Sequence, residues 1–92
     1  LRYDETSAPA YTVLGAVELE AQQLGLALAH LRQATALDEG YSQAHFYLGL
    51  VYQALGQPTE AITALEKALA TTKDEEMRAE IQRHLGGLRE SG

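Results

Sequence analysis

The sequence has no cysteine, and none of its apolar runs approaches the length of a membrane span. The lack of cysteine excludes disulfides, thiolate catalysis and cysteine-ligated zinc. A helix that crosses a bilayer needs about 18 or more consecutive apolar residues, so we expect no membrane partner. A signal peptide is also missing, and we expect a cytoplasmic protein. Because the chain begins at Leu1, we expect it to be trimmed, processed or excised from something longer.

Positive charge is scarce as well. The chain has 7 lysines and arginines against 13 aspartates and glutamates, which gives a net charge of −6. Nucleic acids and anionic membranes attract positively charged surfaces, so this excess argues against both as partners. It favours neutral or basic protein partners instead. With 46% hydrophobic and 22% charged residues, the 92-residue chain has the composition of one small globular domain.

Proline occurs only at Pro9 and Pro58, where each suits the first turn of a helix. Between residues 42 and 75, large apolar residues recur at intervals of three and four, which predicts two amphipathic helices. Gly56, just ahead of Pro58, marks the turn between them. The whole chain predicts five helices, over about 8–22, 26–37, 42–55 and 58–71 and from Asp74 onward. We expect Gly86 and Gly87 to interrupt the fifth.

The ends and the contacts of these helices can also be predicted. Ser7, Ser42 and Asp74 are suited to be N-caps, because their side-chain oxygens can accept a hydrogen bond from the first turn. Gly49 and Ala61 are small and lie where two antiparallel helices must touch. We expect their small size to let the two helix axes approach closely.

The pattern of residues 42–75 occurs a second time in the preceding part of the chain, over residues 8–41. Leu48-Gly49, Tyr52, Ala61, Leu65 and Ala68 carry the pattern in the second unit, and Tyr11, Leu14-Gly15, Ala27, Leu31 and Ala34 carry it in the first. A helix–turn–helix period of about 34 residues is the signature of the tetratricopeptide repeat. At these positions the chain resembles that family.

The resemblance implies an all-α fold, a right-handed solenoid of antiparallel helical hairpins. It divides the chain into a loosely ordered segment at 1–7, a first repeat at 8–41, a second repeat at 42–75, and a capping helix with a tail at 76–92. The chain departs from the family pattern at a few positions. Glu18 stands where the second unit has Tyr52, and Gly25 lies three places later than Gly56 predicts.

No catalytic or metal-binding constellation is recognisable in the sequence. His30, His45 and His84 fall on three different helices and lack metal-ligand spacing. Their simplest interpretation is packing or a helix surface. The glycines form no phosphate-binding loop. We therefore expect no enzyme, no metal and no cofactor.

The remaining candidate for function is a surface. In the resembled family the first helix of each repeat lines a concave groove that binds a peptide or a helix of a partner protein. Carried onto this chain, the lining is Thr12, Ala16, Leu19, Glu20, Gln43, Phe46, Leu50 and Gln53. The lining has no basic residue, so we do not expect the carboxylate clamp by which part of that family binds acidic tails.

Two alternatives stay open at this stage. Phe46 and Leu50 are one turn apart and predict an apolar patch, but Phe46 fits equally well into the core. The chain as a whole fits a protein-interaction module, and also a structural or homo-oligomerisation unit or a fragment of a larger tetratricopeptide-repeat protein.

Overall fold

In a computed structural model that describes residues 7–91, the chain forms five α-helices, and this range contains no β-strand. The helices are α1 (Ala8–Glu20), α2 (Leu24–Leu37), α3 (Ser42–Ala54), α4 (Pro58–Thr71) and α5 (Glu75–Ser91). Helices α1 and α2 form a first hairpin, α3 and α4 form a second, and α5 packs against α4. The molecule measures 47 × 28 × 19 Å, as an elongated stack of hairpins would. Apart from Ser7, the predicted loose segment at 1–7 lies outside the described residues.

Two of the three predicted N-caps are present. The Ser7 hydroxyl accepts a hydrogen bond from the Ala10 N–H at 3.2 Å, and Asp74 Oδ1 accepts one from the Glu76 N–H at 3.0 Å. Each bond satisfies a backbone donor that the helix itself cannot. The prediction for Ser42 is wrong, because Tyr41 occupies the cap position and Ser42 is the first helical residue.

The two hairpins turn at equivalent positions. Gly56 has φ +75° and Gln22 has φ +63°, and Gln22 is the counterpart of Gly56 in the first repeat. The left-handed conformation therefore recurs with the repeat even though the glycine does not. Gly25, the expected turn glycine of the first hairpin, lies inside α2 instead.

Close helix contact inside each hairpin depends on a glycine. A Cβ atom added to Gly49 would lie 2.6 Å from Leu65 Cγ and 3.3 Å from the carbonyl oxygen of Ala61. The equivalent Cβ at Gly15 would lie 2.7 Å from Leu31 Cδ2. The predicted close approach at Gly49 and Ala61 is thus present, and the first hairpin repeats it at Gly15.

The first hairpin replaces an aromatic residue with a polar pair. The ring N–H at His30 Nδ1 donates to Glu18 Oε1 at 2.7 Å, and the ring also stacks on Tyr11. The counterparts of Glu18 and His30 in the second hairpin are Tyr52 and Ala64, which belong to one apolar cluster formed by α2, α3 and α4. The first hairpin thus pairs a glutamate with a histidine ring at the positions where the second hairpin has a tyrosine and an alanine.

Helix α5 completes the core on the far side of α4. Its buried residues Ile81, Leu85 and Leu88 join one cluster with residues of α3 and α4, namely Phe46, Ala61, Leu65 and Ala68. The helix continues through Gly86 and Gly87 to Ser91, so the expected interruption is wrong. Packing of this apolar stripe outweighs the weak helix propensity of two glycines.

Candidate partner-binding cleft

An open cleft lies between α1 and α3, the first helices of the two hairpins. Its volume is about 390 Å³. The residues that line it are Ala16, Val17, Leu19 and Glu20 from α1, and Tyr47 and Leu50 from α3. The structure therefore brings together four of the eight predicted site residues, Ala16, Leu19, Glu20 and Leu50.

Helical spacing places these side chains on one side of the molecule. Ala16, Leu19 and Glu20 are three and four positions apart, so they share a face of α1. Leu19 and Tyr47 are partly buried and pack against a cluster formed by α2, α3 and α4. Leu50 packs in the same way against the cluster that α5 completes. The floor of the cleft is therefore apolar, and the core supports it from behind.

Thr12 and Phe46 are buried away from this cleft. The Thr12 side chain is only 3% exposed, and its hydroxyl donates to the Ala8 carbonyl oxygen at 2.8 Å. Phe46 is 8% exposed and belongs to the core cluster of α3, α4 and α5. Its ring meets the His84 ring edge-on at a centroid distance of 5.9 Å. Phe46 thus occupies the core position that its spacing also allowed.

The two predicted glutamines are exposed but do not line the cleft. The Gln43 Oε1 atom accepts a hydrogen bond from the Tyr41 hydroxyl at 2.8 Å, which holds it near the start of α3. Gln53 lies in the last turn of α3.

Val17 and Tyr47 line the cleft without having been predicted. The family resemblance placed the lining on a stripe of each helix that overlaps the cleft only in part. Both residues could have been found from their closeness to predicted lining residues, because Val17 follows Ala16 and Tyr47 lies three residues before Leu50. A stripe slightly wider on each helix would have included both.

Glu20 is the one charged residue among those that line the cleft. It is exposed, whereas the nearby carboxylate of Glu18 is hydrogen-bonded to His30. The cleft therefore combines an apolar floor with negative charge at its edge. Such a surface fits an apolar side chain flanked by neutral or basic residues.

A larger cleft of about 560 Å³ lies between α2 and α4 over α3. Several of its polar groups are engaged within the fold. The His45 ring donates from Nε2 to the Glu39 carbonyl oxygen at 2.8 Å, and the Thr71 hydroxyl donates to the Lys67 carbonyl oxygen at 2.9 Å. These bonds tie a loop to α3 and a side chain to its own helix, so they do not converge on a ligand.

The family pattern described as "Regulator of microtubule dynamics protein 1-3" matches residues 10–89. This match extends over all five helices. The chain belongs to that family.

The same fold is found in solved structures. Two crystal structures of MamA, a TPR-like protein, superpose on the chain with TM-scores of 0.72 and 0.70, each at 29% sequence identity and over 95% of this chain. The chain spans 59% and 55% of the length of those two proteins. The predicted all-α helical-repeat solenoid is confirmed. No curated protein matches the chain significantly.

None of the helices within residues 7–91 is both long enough and apolar enough to cross a bilayer.

Proposed function

We propose that this chain is a non-enzymatic protein-interaction module of the tetratricopeptide type, and that it binds a peptide segment or helix of a partner protein in the cleft between α1 and α3. The observation that carries the proposal is the meeting of Ala16, Leu19, Glu20 and Leu50 at one open cleft. These residues come from two successive repeats, as a groove across a solenoid requires.

The character of the cleft suggests the kind of segment it binds. Tyr47 and Leu50 offer partly buried apolar surface for an anchoring side chain of the partner. Aromatic and aliphatic anchors in such depressions contribute most of the binding energy in many interfaces. Glu20 at the edge and the net charge of −6 favour a partner segment with neutral or basic flanks.

The histidines support a non-enzymatic role. His30 binds Glu18, His45 binds the backbone of the preceding loop, and His84 packs on Phe46. Each ring is thus accounted for by packing or by a structural hydrogen bond. The family description refers to regulation of microtubule dynamics. In our proposal, a module of this kind would contribute to such regulation by binding another protein.

The test compares two arginine substitutions. Ala16→Arg places a long charged side chain in the cleft, whereas Ala79→Arg adds the same side chain to an exposed site on α5 that does not line it. Displayed peptides are selected on the wild-type chain, and their affinities for both variants are then measured by titration. We expect Ala16→Arg to weaken binding at least about tenfold and Ala79→Arg to leave it unchanged.

The outcome that would contradict the proposal is a set of selected peptides that bind the Ala16→Arg chain as tightly as the wild type. Self-association through the same cleft is the competing function. It predicts a mass that rises with concentration in light scattering for the wild type and the Ala79→Arg chain, and a constant monomer mass for the Ala16→Arg chain.

A further inference from the structure

Helix α1 carries an apolar surface that the rest of the described chain leaves uncovered. Val13 and Val17 are each 60% exposed and Leu14 is 43% exposed, and these three residues form what we call the outer face of α1. Val17 lies four positions from Val13 and three from Leu14, so the three residues share one side of the helix. Since the opposite side of α1 is also apolar, the helix has the character of one that is buried on both sides.

The repeat shows what covers this side elsewhere in the molecule. Val17 corresponds to Val51 in α3 and to Leu85 in α5, one and two repeat periods further along the chain. Val51 is fully buried and Leu85 is 2% exposed. The same helix position is therefore buried in two of its three occurrences and exposed only in α1.

The neighbouring positions follow the same trend. Val13 corresponds to the partly buried Tyr47 and to Ile81, which is fully buried. Leu14 corresponds to Leu48, which is 8% exposed, and to the exposed Gln82 at the polar edge of α5. The outer face of α1 is thus the uncovered equivalent of a surface that α3 buries at Leu48 and Val51 and that α5 buries at Ile81 and Leu85.

In both buried cases the covering element is the second helix of the preceding hairpin. Leu48 and Val51 cluster with Ala27 and Leu31 of α2. Ile81 and Leu85 cluster with Ala61, Leu65 and Ala68 of α4. The two covering helices share one pattern, an alanine, a leucine four residues later and an alanine three residues after that, at Ala27, Leu31 and Ala34 and at Ala61, Leu65 and Ala68.

We propose that the outer face of α1 is a docking surface for the second helix of a further hairpin of this repeat type, an amphipathic helix with the alanine and leucine spacing of α2 and α4. The proposed contact has the same form as the α2–α3 and α4–α5 interfaces and lies one repeat nearer the N-terminus. The outer face of α1 adjoins the cleft at Val17, which belongs to both surfaces, and it extends beyond the cleft through Val13 and Leu14.

A second copy of this chain does not offer such a helix. Its α2 is covered by α3 and its α4 is covered by α5. The exposed residues of α5 are mostly polar, among them Glu76, Glu80, Gln82 and Arg83. A second copy could therefore present its own outer face of α1 or the exposed leucines Leu26, Leu37 and Leu55. None of these has the alanine and leucine spacing by which α2 and α4 cover α3 and α5.

The test supplies the occupant from the protein's own sequence. A second copy of residues 8–41 is inserted directly ahead of Ala8, so that the chain runs through 1–41 and continues with 8–92. The inserted second helix then stands ahead of α1 in the register that α2 has ahead of α3. Each Val13 can be changed separately, in the outer copy, which is uncovered, or in the inner copy, which is covered.

A thiol is the sharpest probe, because the natural chain has no cysteine. With Val13→Cys in the inner copy, we expect labelling by a maleimide to be at least about tenfold slower than with the same change in the outer copy. With Val13→Lys, we expect Tm to fall by at least about 4 °C for the inner copy and by less than about 3 °C for the outer copy.

Equal labelling rates in the two copies, or loss of helical structure on insertion, would overturn the proposal. So would a concentration-dependent dimer of the natural chain that Val13→Lys abolishes, since a second copy would then be the occupant. Peptide binding in the cleft is measured on the same variants. Its loss in Ala16→Arg with normal thiol protection would separate the two sites.

Discussion

A single methyl group added at Gly49 tests the helix contact on which each hairpin depends. In Gly49→Ala the new Cβ atom would lie 2.6 Å from Leu65 Cγ and 2.8 Å from Leu65 Cδ2. Carbon atoms make favourable contact at about 3.5–4.0 Å, so the overlap is severe. Leu65 is fully buried and cannot rotate into solvent, and the Ala61 carbonyl oxygen blocks a simple shift of the helix.

The size of the effect follows from two opposing terms. Alanine stabilises an open helix position relative to glycine by about 0.5–1 kcal/mol. Overpacking a buried contact costs about 1–3 kcal/mol. Gly86→Ala in α5 is the matched control, because no atom outside its own helical neighbourhood lies within 4 Å of its added Cβ atom. The propensity term is common to both variants, so the difference between them isolates the overpacking cost of about 1–3 kcal/mol.

Thermal and urea unfolding followed by far-UV circular dichroism measure this difference. We expect Gly86→Ala to raise Tm and Gly49→Ala to lie at least about 4 °C below it. Gly15→Ala should behave like Gly49→Ala, since its Cβ atom would lie 2.7 Å from Leu31 Cδ2. If Gly49→Ala and Gly86→Ala were equally stable, the glycine contact would not set the spacing of the helices.

The remaining predictions concern the two hairpin turns, one polar pair and one helix cap. Gln22→Gly should raise the free energy of unfolding by about 0.5–1 kcal/mol, and Gly56→Ala should lower it by about 1–2 kcal/mol, because both residues have positive φ. Urea unfolding of both variants checks that the two changes have opposite signs. Glu18→Tyr and His30→Ala, the residues of the second hairpin, should each destabilise alone and compensate each other by about 1 kcal/mol or more in the double variant. Additive effects in that double-mutant cycle would contradict the pairing. Asp74→Ala should cost about 0.5–2 kcal/mol, and Asp74→Asn much less, because the amide oxygen can still accept the Glu76 N–H; thermal unfolding of the two variants compares them.

The sequence could predict the contacts that repeat. The small residue at Gly49 and the large one at Leu65 recur at Gly15 and Leu31, and in the structure the side chain of each leucine packs against its glycine. Such pairs can be recognised in the sequence, because both members recur one repeat period apart. The five helices follow from the same periodicity.

The first turn could not be predicted from its glycine, because no glycine stands at the left-handed position. Glycine marks a left-handed residue in a sequence, and Gln22 adopts that conformation without being glycine. The sequence therefore indicates Gly25 as the turn glycine of the first hairpin, although Gly25 lies inside α2. The repeat itself was the better guide, since Gln22 is the position in the first unit that corresponds to Gly56 in the second.

The candidate site was predicted only in part, because burial depends on the neighbouring unit. Thr12 and Phe46 occupy equivalent positions, and both are buried. Phe46 is covered by α5, whose sequence does not repeat the family pattern, so the spacing of α3 alone could not distinguish core from groove. Whether such a residue is buried or exposed therefore depends on the sequence of the neighbouring unit.

The polar outer side of α5 gives the stack a direction. A further helix packs on this molecule where an apolar surface is exposed. The apolar residues of α5, Ile81, Leu85 and Leu88, are already packed on α4. A further hairpin laid on the other side of α5 would bring Glu80 and Arg83 into a dry contact without partners, which is unfavourable for charged groups. Under the proposed docking we therefore expect the stack to grow in one direction, with a new neighbour ahead of α1 and none against the outer side of α5.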